Sequence, residues 1–362
     1  MKLCAVDDAP YNSYFILLIY LVKMAQSEES SLTNDEEDNK EVKKMFVRDR
    51  FFARHACNVY KPTQEMSREH VADCMRVKCK DILFRDFSGG VDEEHPDPNV
   101  VLLVDHGQSS IVLCIQGTST FNDLMTDLTV QEKQFLDGYA HEGFCDGSDN
   151  VLEKVSKSLL KGLGTNPGYN VVVCGHSLGG SLAVLTTIKL LTNNKFITLP
   201  PDVSVRCVAL APAPVYRSDE EIPAALLDKI HIYVNDKDVI PRLSLGSAAK
   251  LLKMLRVVDE MALSDDMQLS IVLDKEDPTG DLELALWEIT EAVKKVQQEE
   301  VKYMHHLGRI IHLVNKEGVL QMQEKADKEA ILLASSIEIH DNMVGDHNSD
   351  KYLDMFTSVF TR

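Results

Sequence analysis

Ten residues, Val171-Val172-Val173-Cys174-Gly175-His176-Ser177-Leu178-Gly179-Gly180, restrict what this chain can fold into more than any other stretch. A β-branched run, a tight turn and the apolar run Ser181-Leu182-Ala183-Val184-Leu185 meet at a serine with a glycine two positions away on each side. The spacing predicts a strand, a sharp bend and a helix, with Ser177 at the apex in a strained backbone conformation. Side chains at Gly175 or Gly179 would collide across such a bend, so the glycines and the serine belong to one device. The bend lifts the hydroxyl above the sheet, and the helix behind it points its first amides and its positive dipole end at the same place. A glycine-rich turn that only capped a helix would require neither the preceding strand nor both glycine positions.

A serine hydroxyl is a poor nucleophile near neutral pH, so a base has to remove its proton and an acid has to orient the base. Around a strand-turn-helix serine of this type the acid follows in the chain, and the histidine follows the acid. The β-rich run 230–234 leads into Asn235-Asp236-Lys237-Asp238-Val239-Ile240-Pro241-Arg242, where Asp236 and Asp238 both qualify on position. Position alone does not choose between them. The histidines further on are His305, His306, His312, His340 and His347. His312 lies in an alternating strand pattern, whereas His340 and His347 lie just before a last helix over 350–359. A loop there can swing a ring over the sheet edge, so the base is expected to be one of these two.

The remaining sequence supplies the frame. β-rich runs at 100–104, 111–115, 171–174, 205–210, 230–234 and 310–314 alternate with helical stretches, and the first two, joined by Asp105-His106-Gly107-Gln108, read as a hairpin. The alternation predicts an α/β fold with a mostly parallel central sheet flanked by helices. Residues 1–84 read as an N-terminal helical extension packing on the main domain, and residues 85–362 as that domain. A helical insert spans 245–307. Its second helix carries Leu282, Leu286, Ile289, Val293 and Val296 in one apolar stripe, which is expected to pack on the body of the protein.

Composition narrows the partners. With 38 Lys+Arg against 57 Asp+Glu the formal net charge is -19, which disfavours a sequence-independent grip on nucleic acid and points to a neutral or apolar partner. The nine apolar residues from Tyr14 to Val22 are too few to span a bilayer. Asp7 and Asp8 precede them where a secretion signal carries positive charge, and no small-residue cleavage site follows, so the run reads as a packed helix. The cysteines at 4, 57, 74, 79, 114, 145, 174 and 207 show no paired spacing and suit reduced, buried thiols in a cytoplasmic protein. His141, Glu142 and Cys145 lack a fourth ligand at a suitable spacing, so neither a metal nor another cofactor is expected.

The motifs together make the chain resemble the class 3 (fungal-type) lipases, most closely their diacylglycerol-lipase-like branch. The matching pieces are Gly117-Thr118-Ser119, His141-Glu142-Gly143-Phe144, Gly175-His176-Ser177-Leu178-Gly179-Gly180, Ala211-Pro212-Ala213-Pro214 and Asp238-Val239-Ile240-Pro241-Arg242-Leu243. Gly308-Arg309-Ile310-Ile311-His312 and Asp346-His347 followed by Tyr352 fit as well. The likeness runs from about residue 100 to the C-terminus, interrupted by the insert. Gln116 departs from it, standing where the family often has arginine.

The resemblance implies an α/β-hydrolase fold and hydrolysis of acylglycerol carboxylic esters through an acyl-serine intermediate. It assigns the triad to Ser177, Asp238 and His347, and the oxyanion hole to Thr118, through its backbone and hydroxyl, and the amide of Leu178. Phe121, Leu124, Met125 and Leu128 form an apolar stripe where such lipases carry a lid, which favours acylglycerols at a membrane or lipid-droplet surface. A phospholipase A or a general carboxylesterase would share the triad and differ in the pocket. A lipase-like signalling scaffold would keep the fold without turnover, and the complete Ser177, Asp238 and His347 set speaks against that.

Overall fold

The β-branched runs form strands, and eleven strands occur among the described residues. They are β1 (Ile82–Asp86), β2 (Val100–Asp105), β3 (Ser110–Ile115), β4 (Glu132–Phe135), β5 (Gly138–His141), β6 (Asn170–His176), β7 (Val205–Leu210), β8 (Tyr216–Arg217), β9 (Ile230–Asn235), β10 (Arg309–Lys316) and β11 (Val319–Lys325). The computed structural model describes residues 10–27, 39–88, 97–117, 132–192, 195–218, 222–261, 263–264, 267–268, 270–271, 281–299, 304–316, 319–325 and 337–358.

Eight strands build one sheet in the order β1-β2-β3-β6-β7-β9-β10-β11. Its centre, β3, β6, β7, β9 and β10, is parallel, while β1 and β2 on one side and β11 on the other run antiparallel to their neighbours. Alternation along β6 sends Val171 and Val173 to one face and Val172 and Cys174 to the other, so this strand is buried on both sides. A short second sheet pairs β4, β5 and β8. The helical layer expected through residue 84 gives way at Ile82 to β1, whose register on β2 makes it the edge of the main sheet.

Helices α1 (Pro10–Ser27), α2 (Asn39–Asn58), α3 (Arg68–Met75), α4 (Glu142–Thr165), α5 (Leu178–Leu191), α6 (Leu245–Glu260), α7 (Asp281–Gln297) and α8 (Ser349–Ser358) complete the layers. One face of the sheet carries α4 and α5, and α5 is buried from Leu178 to Leu190, as an all-round apolar helix must be. The other face carries α2 and α8, which meet through Phe46 and Phe356 stacked at 4.2 Å. A charged cluster fixes α2 on the strands beneath it. The fully buried Asp49 carboxylate receives Tyr233 Oη at 2.9 Å and Arg206 Nη1 at 2.7 Å, and lies 2.5 Å from His231 Nδ1. Burial opposes its charge, but His231, Arg206 and Arg48 hold the carboxyl below its usual value.

The insert departs from expectation in what it covers. The stripe of α7 meets α6 and α1, and Leu21, Val22, Met254, Val258, Ile289 and Val293 make a separate small core. Two amphipathic helices leave an apolar side open between them, and the apolar run near the N-terminus closes it. Gln26 then pairs with an extended segment of the main domain, donating to the Ile337 carbonyl at 3.0 Å and accepting from Ile339 N at 3.0 Å, while Lys23 pairs with Asp341 at 2.7 Å. Among the described residues no helix is long and apolar enough to cross a membrane, and the seven described cysteines are free.

Candidate active site

The bend after β6 is built by its glycines and closed by backbone hydrogen bonds. Ser177 adopts φ 59° and ψ -131°, a conformation that a side-chain-bearing residue holds only when its surroundings enforce it. Its amide donates to the Leu210 carbonyl at 2.9 Å, and its carbonyl accepts from Gly180 and Ser181 in the first turn of α5. A Cβ on Gly175 would run into the Gly179 carbonyl, and one on Gly179 into the Ile115 carbonyl, both of them backbone atoms with nowhere to go. Gly175→Ala is therefore expected to lower stability by about 3 kcal/mol, the upper range for forced overpacking. Urea unfolding measures it, and an unchanged midpoint would show that the bend can relax.

The loop after β9 carries the acid. Asp238 is completely buried, and each carboxylate oxygen is already engaged, Oδ1 by the Ile240 amide at 2.9 Å and Oδ2 by the Tyr352 hydroxyl at 2.7 Å. Both oxygens lie 3.1 Å from His347 Nδ1. His347 ends the short turn Gly345–His347 ahead of α8, and its Nε2 is 2.8 Å from Ser177 Oγ. The structure thus brings Ser177, His347 and Asp238 into one continuous chain of hydrogen bonds.

Of the two aspartates left open by position, Asp238 meets the imidazole. Asp236, at φ 36°, supports the loop through its carbonyl, which accepts from His312 Nε2 at 2.7 Å and Arg242 Nη2 at 3.0 Å. Burial and then the nearby Asp346 push the Asp236 carboxyl above its usual value. His306 Nε2 donates to the Pro241 carbonyl of the same loop at 2.7 Å. His340 accepts from the Asn342 amide at 3.2 Å and is not part of the chain to Ser177. Leu178 opens α5 directly behind the serine. Thr118 and the lid stripe at 121–128 lie outside the described residues.

Residues 112–247, which hold the bend and the acid loop, match the family model for lipase (class 3). Over that segment the chain is similar to the class 3 lipases. Over 202 residues the chain is 28 % identical to diacylglycerol lipase-beta of Mus musculus, covering 50 % of this chain and 27 % of that protein. Over 92 residues it is 33 % identical to the secreted mono- and diacylglycerol lipase A of Penicillium cyclopium, covering 25 % of this chain and 30 % of that one. It therefore spans under a third of the length of these two relatives. The Rhizomucor miehei lipase propeptide complex shares the fold at a TM-score of 0.50 and 16 % identity, over 85 % of this chain and 80 % of that one. The matched segment thus sits in an α/β-hydrolase architecture that continues on both sides of it.

Tyr60 is the residue at the site that carries no motif signal of its own. Tyr60, just after α2, packs edge-on against His176 with ring centroids 5.7 Å apart. His176, next to the serine, donates from Nε2 to the His347 carbonyl at 2.8 Å. Tyr352 was visible only through the family resemblance, and its hydrogen bond to Asp238 explains its place there.

Proposed function

We propose that the chain is a serine ester hydrolase that cleaves acylglycerol carboxylic esters through an acyl-serine intermediate. The observation that carries this reading is the unbroken chain from Ser177 Oγ to His347 Nε2 at 2.8 Å and from His347 Nδ1 to the Asp238 carboxylate at 3.1 Å. His347 takes the Ser177 proton as Oγ attacks the ester carbonyl, and Asp238, buried beside it, holds the ring in the tautomer with hydrogen on Nδ1 and stabilises the imidazolium. The carbonyl oxygen gains negative charge, which the Leu178 amide and Thr118 would receive at the N-terminus of α5. His347 then returns the proton to the leaving glyceride oxygen. Water, activated by the same ring, attacks the acyl-serine, releases the fatty acid and restores Ser177.

The choice of acylglycerol rests on the lipases and diacylglycerol lipases that the chain resembles, and with it the place of work, a lipid surface. The test is a fluorophosphonate probe on the full chain, followed by fatty-acid release from mono-, di- and triacylglycerol and from phospholipid. The expected result is a single labelled peptide containing Ser177 and the fastest release from an acylglycerol. Labelling with faster release from phospholipid would make it a phospholipase, and a chain that resists the probe would be a scaffold.

A further inference from the structure

We propose that Tyr60 is a positioning residue for this site, a phenol that ties together the three backbone segments carrying the oxyanion donor, the nucleophile and the base. The proposal rests on the ester-hydrolase reading above and adds a part of the chain that neither the triad nor the matched segment contains.

Tyr60 follows α2 in a turn closed by Lys61 N to the Asn58 carbonyl at 3.0 Å. Its hydroxyl lies 3.2 Å from the His176 carbonyl and 3.1 Å from His176 Nδ1, and shares its single hydrogen between these two acceptors. The phenol oxygen also takes a hydrogen bond from the Gly117 backbone. That approach is so close that a Cβ on Gly117 would stand 2.5 Å from the oxygen and 2.6 Å from the His176 carbonyl. Gly117 immediately precedes Thr118, and His176 immediately precedes Ser177.

The third segment is reached through the His176 ring. Nε2 donates to the His347 carbonyl at 2.8 Å, so the neutral ring carries its hydrogen there and leaves Nδ1 as an acceptor facing the phenol. Burial, and then the charge of His347, drive the His176 pKa well below the ordinary value, which keeps the ring in this neutral form. The His176 and His347 rings lie 4.7 Å apart, so the donor that holds the base's carbonyl is packed against the base itself.

Filling space would need only a phenylalanine. Among the described residues the partners of the hydroxyl lie on the segments that lead into Thr118 and Ser177, 57 and 116 residues further along the chain, with His347 reached through the second. Removing it leaves the Gly117 amide and His176 Nδ1 without that partner in a buried place. Both segments are then free to move by fractions of an ångström, and such displacements are costly in a near-attack geometry. The N-terminal extension therefore takes part in catalysis through a residue that does not touch substrate.

The experiment uses the full chain. Tyr60→Phe is expected to lower kcat about 10- to 100-fold with KM changed less than about twofold, and to slow fluorophosphonate inactivation in parallel. The thermal midpoint should move by no more than about 4 °C, since one hydrogen-bonding group is lost. A second pair of variants tests the relay without touching the phenol. His176→Gln can place its amide nitrogen where Nε2 stands and is expected to keep at least about tenfold more activity than His176→Asn, whose amide is too short. A Tyr60→Phe kcat within about twofold of the unmutated chain would overturn the proposal, as would equal loss in the two His176 variants. Failure of the unmutated chain to label at Ser177 would instead remove the ester-hydrolase reading, and this proposal with it.

Discussion

Asp238→Asn is expected to lower kcat by about 10⁴-fold while leaving the fold intact, because it changes which nitrogen of His347 carries the proton. The carboxylate is buried and acts only as an acceptor, receiving the Ile240 amide, the Tyr352 hydroxyl and the His347 ring. Tyr352 itself accepts from Asn235 N at 2.8 Å, so its own hydrogen is directed at Asp238. An asparagine has one oxygen for the donors that the carboxylate served with two. If that oxygen stays with Ile240, the amide nitrogen faces His347 and donates to Nδ1. The ring hydrogen then sits on Nε2, aimed at Ser177 Oγ, where a base can no longer accept the serine proton. The Tyr352 hydrogen then meets the amide nitrogen and loses its acceptor, which should cost about 1–3 kcal/mol and lower the thermal midpoint by a few degrees without unfolding the chain. The informative control is Asp236→Asn, two residues away, whose carbonyl rather than its carboxylate braces the loop. Steady-state kinetics on both variants decide the matter, and a loss below about tenfold for Asp238→Asn would mean that another group orients the ring.

The parts of the architecture visible in the sequence were those written in short-range periodicity. The strands at 170–176, 205–210 and 230–235 announce themselves as β-branched runs, and the bend at Ser177 as two glycines that no other residue could replace. Choosing Asp238 over Asp236 needed the family motif, because both follow the same strand and differ only in how a loop turns at a positive φ. That turn depends on His312, Arg242 and His306, which arrive from three places in the chain. The partner of α7 was equally invisible, since an apolar stripe states that a surface is covered but not by what. Here the covering residues lie on α1, more than 250 positions earlier. Tyr60 illustrates the same limit at the site itself, where a single tyrosine in a helical stretch gives no sign of the backbone groups it meets.

Acidification from pH 7 towards pH 4 is expected to destabilise the protein before the carboxylates held below their usual value are protonated, and to do so through the loops that carry Asp238 and His347. Three buried imidazoles each face a backbone carbonyl of those loops: His312 holds Asp236, His306 holds Pro241 and His176 holds His347. Burial first, and then Arg242 beside both, with Lys325 and Lys237 near His312 and His305 near His306, push His306 and His312 down to about 4. Burial and His347 push His176 down as well. A histidine whose folded pKa lies below its unfolded value binds more protons when unfolded, so its contribution is complete above about pH 6.5 and is lost as the pH falls towards the folded value. At pH 5 each of His306 and His312 withdraws about 2 kcal/mol, and the pair about 4 kcal/mol, a large share of the 5–15 kcal/mol available to a typical domain. Carboxylates held below their usual value, such as Asp49 and Glu338, begin to weaken the fold only under about pH 4. Asp236, pushed upward, opposes the trend, but alone it stands against several imidazoles, since His55 and His305 are displaced in the same direction as the other three. Thermal midpoints measured from pH 7.5 to pH 4.5 should therefore fall steadily below about pH 6.5, and a flat profile down to pH 5 would show that these rings are protonated at no cost to the fold. Because the same rings hold the carbonyls on either side of Asp238 and at His347, activity at the acid end should fail with the fold and recover when the pH is restored.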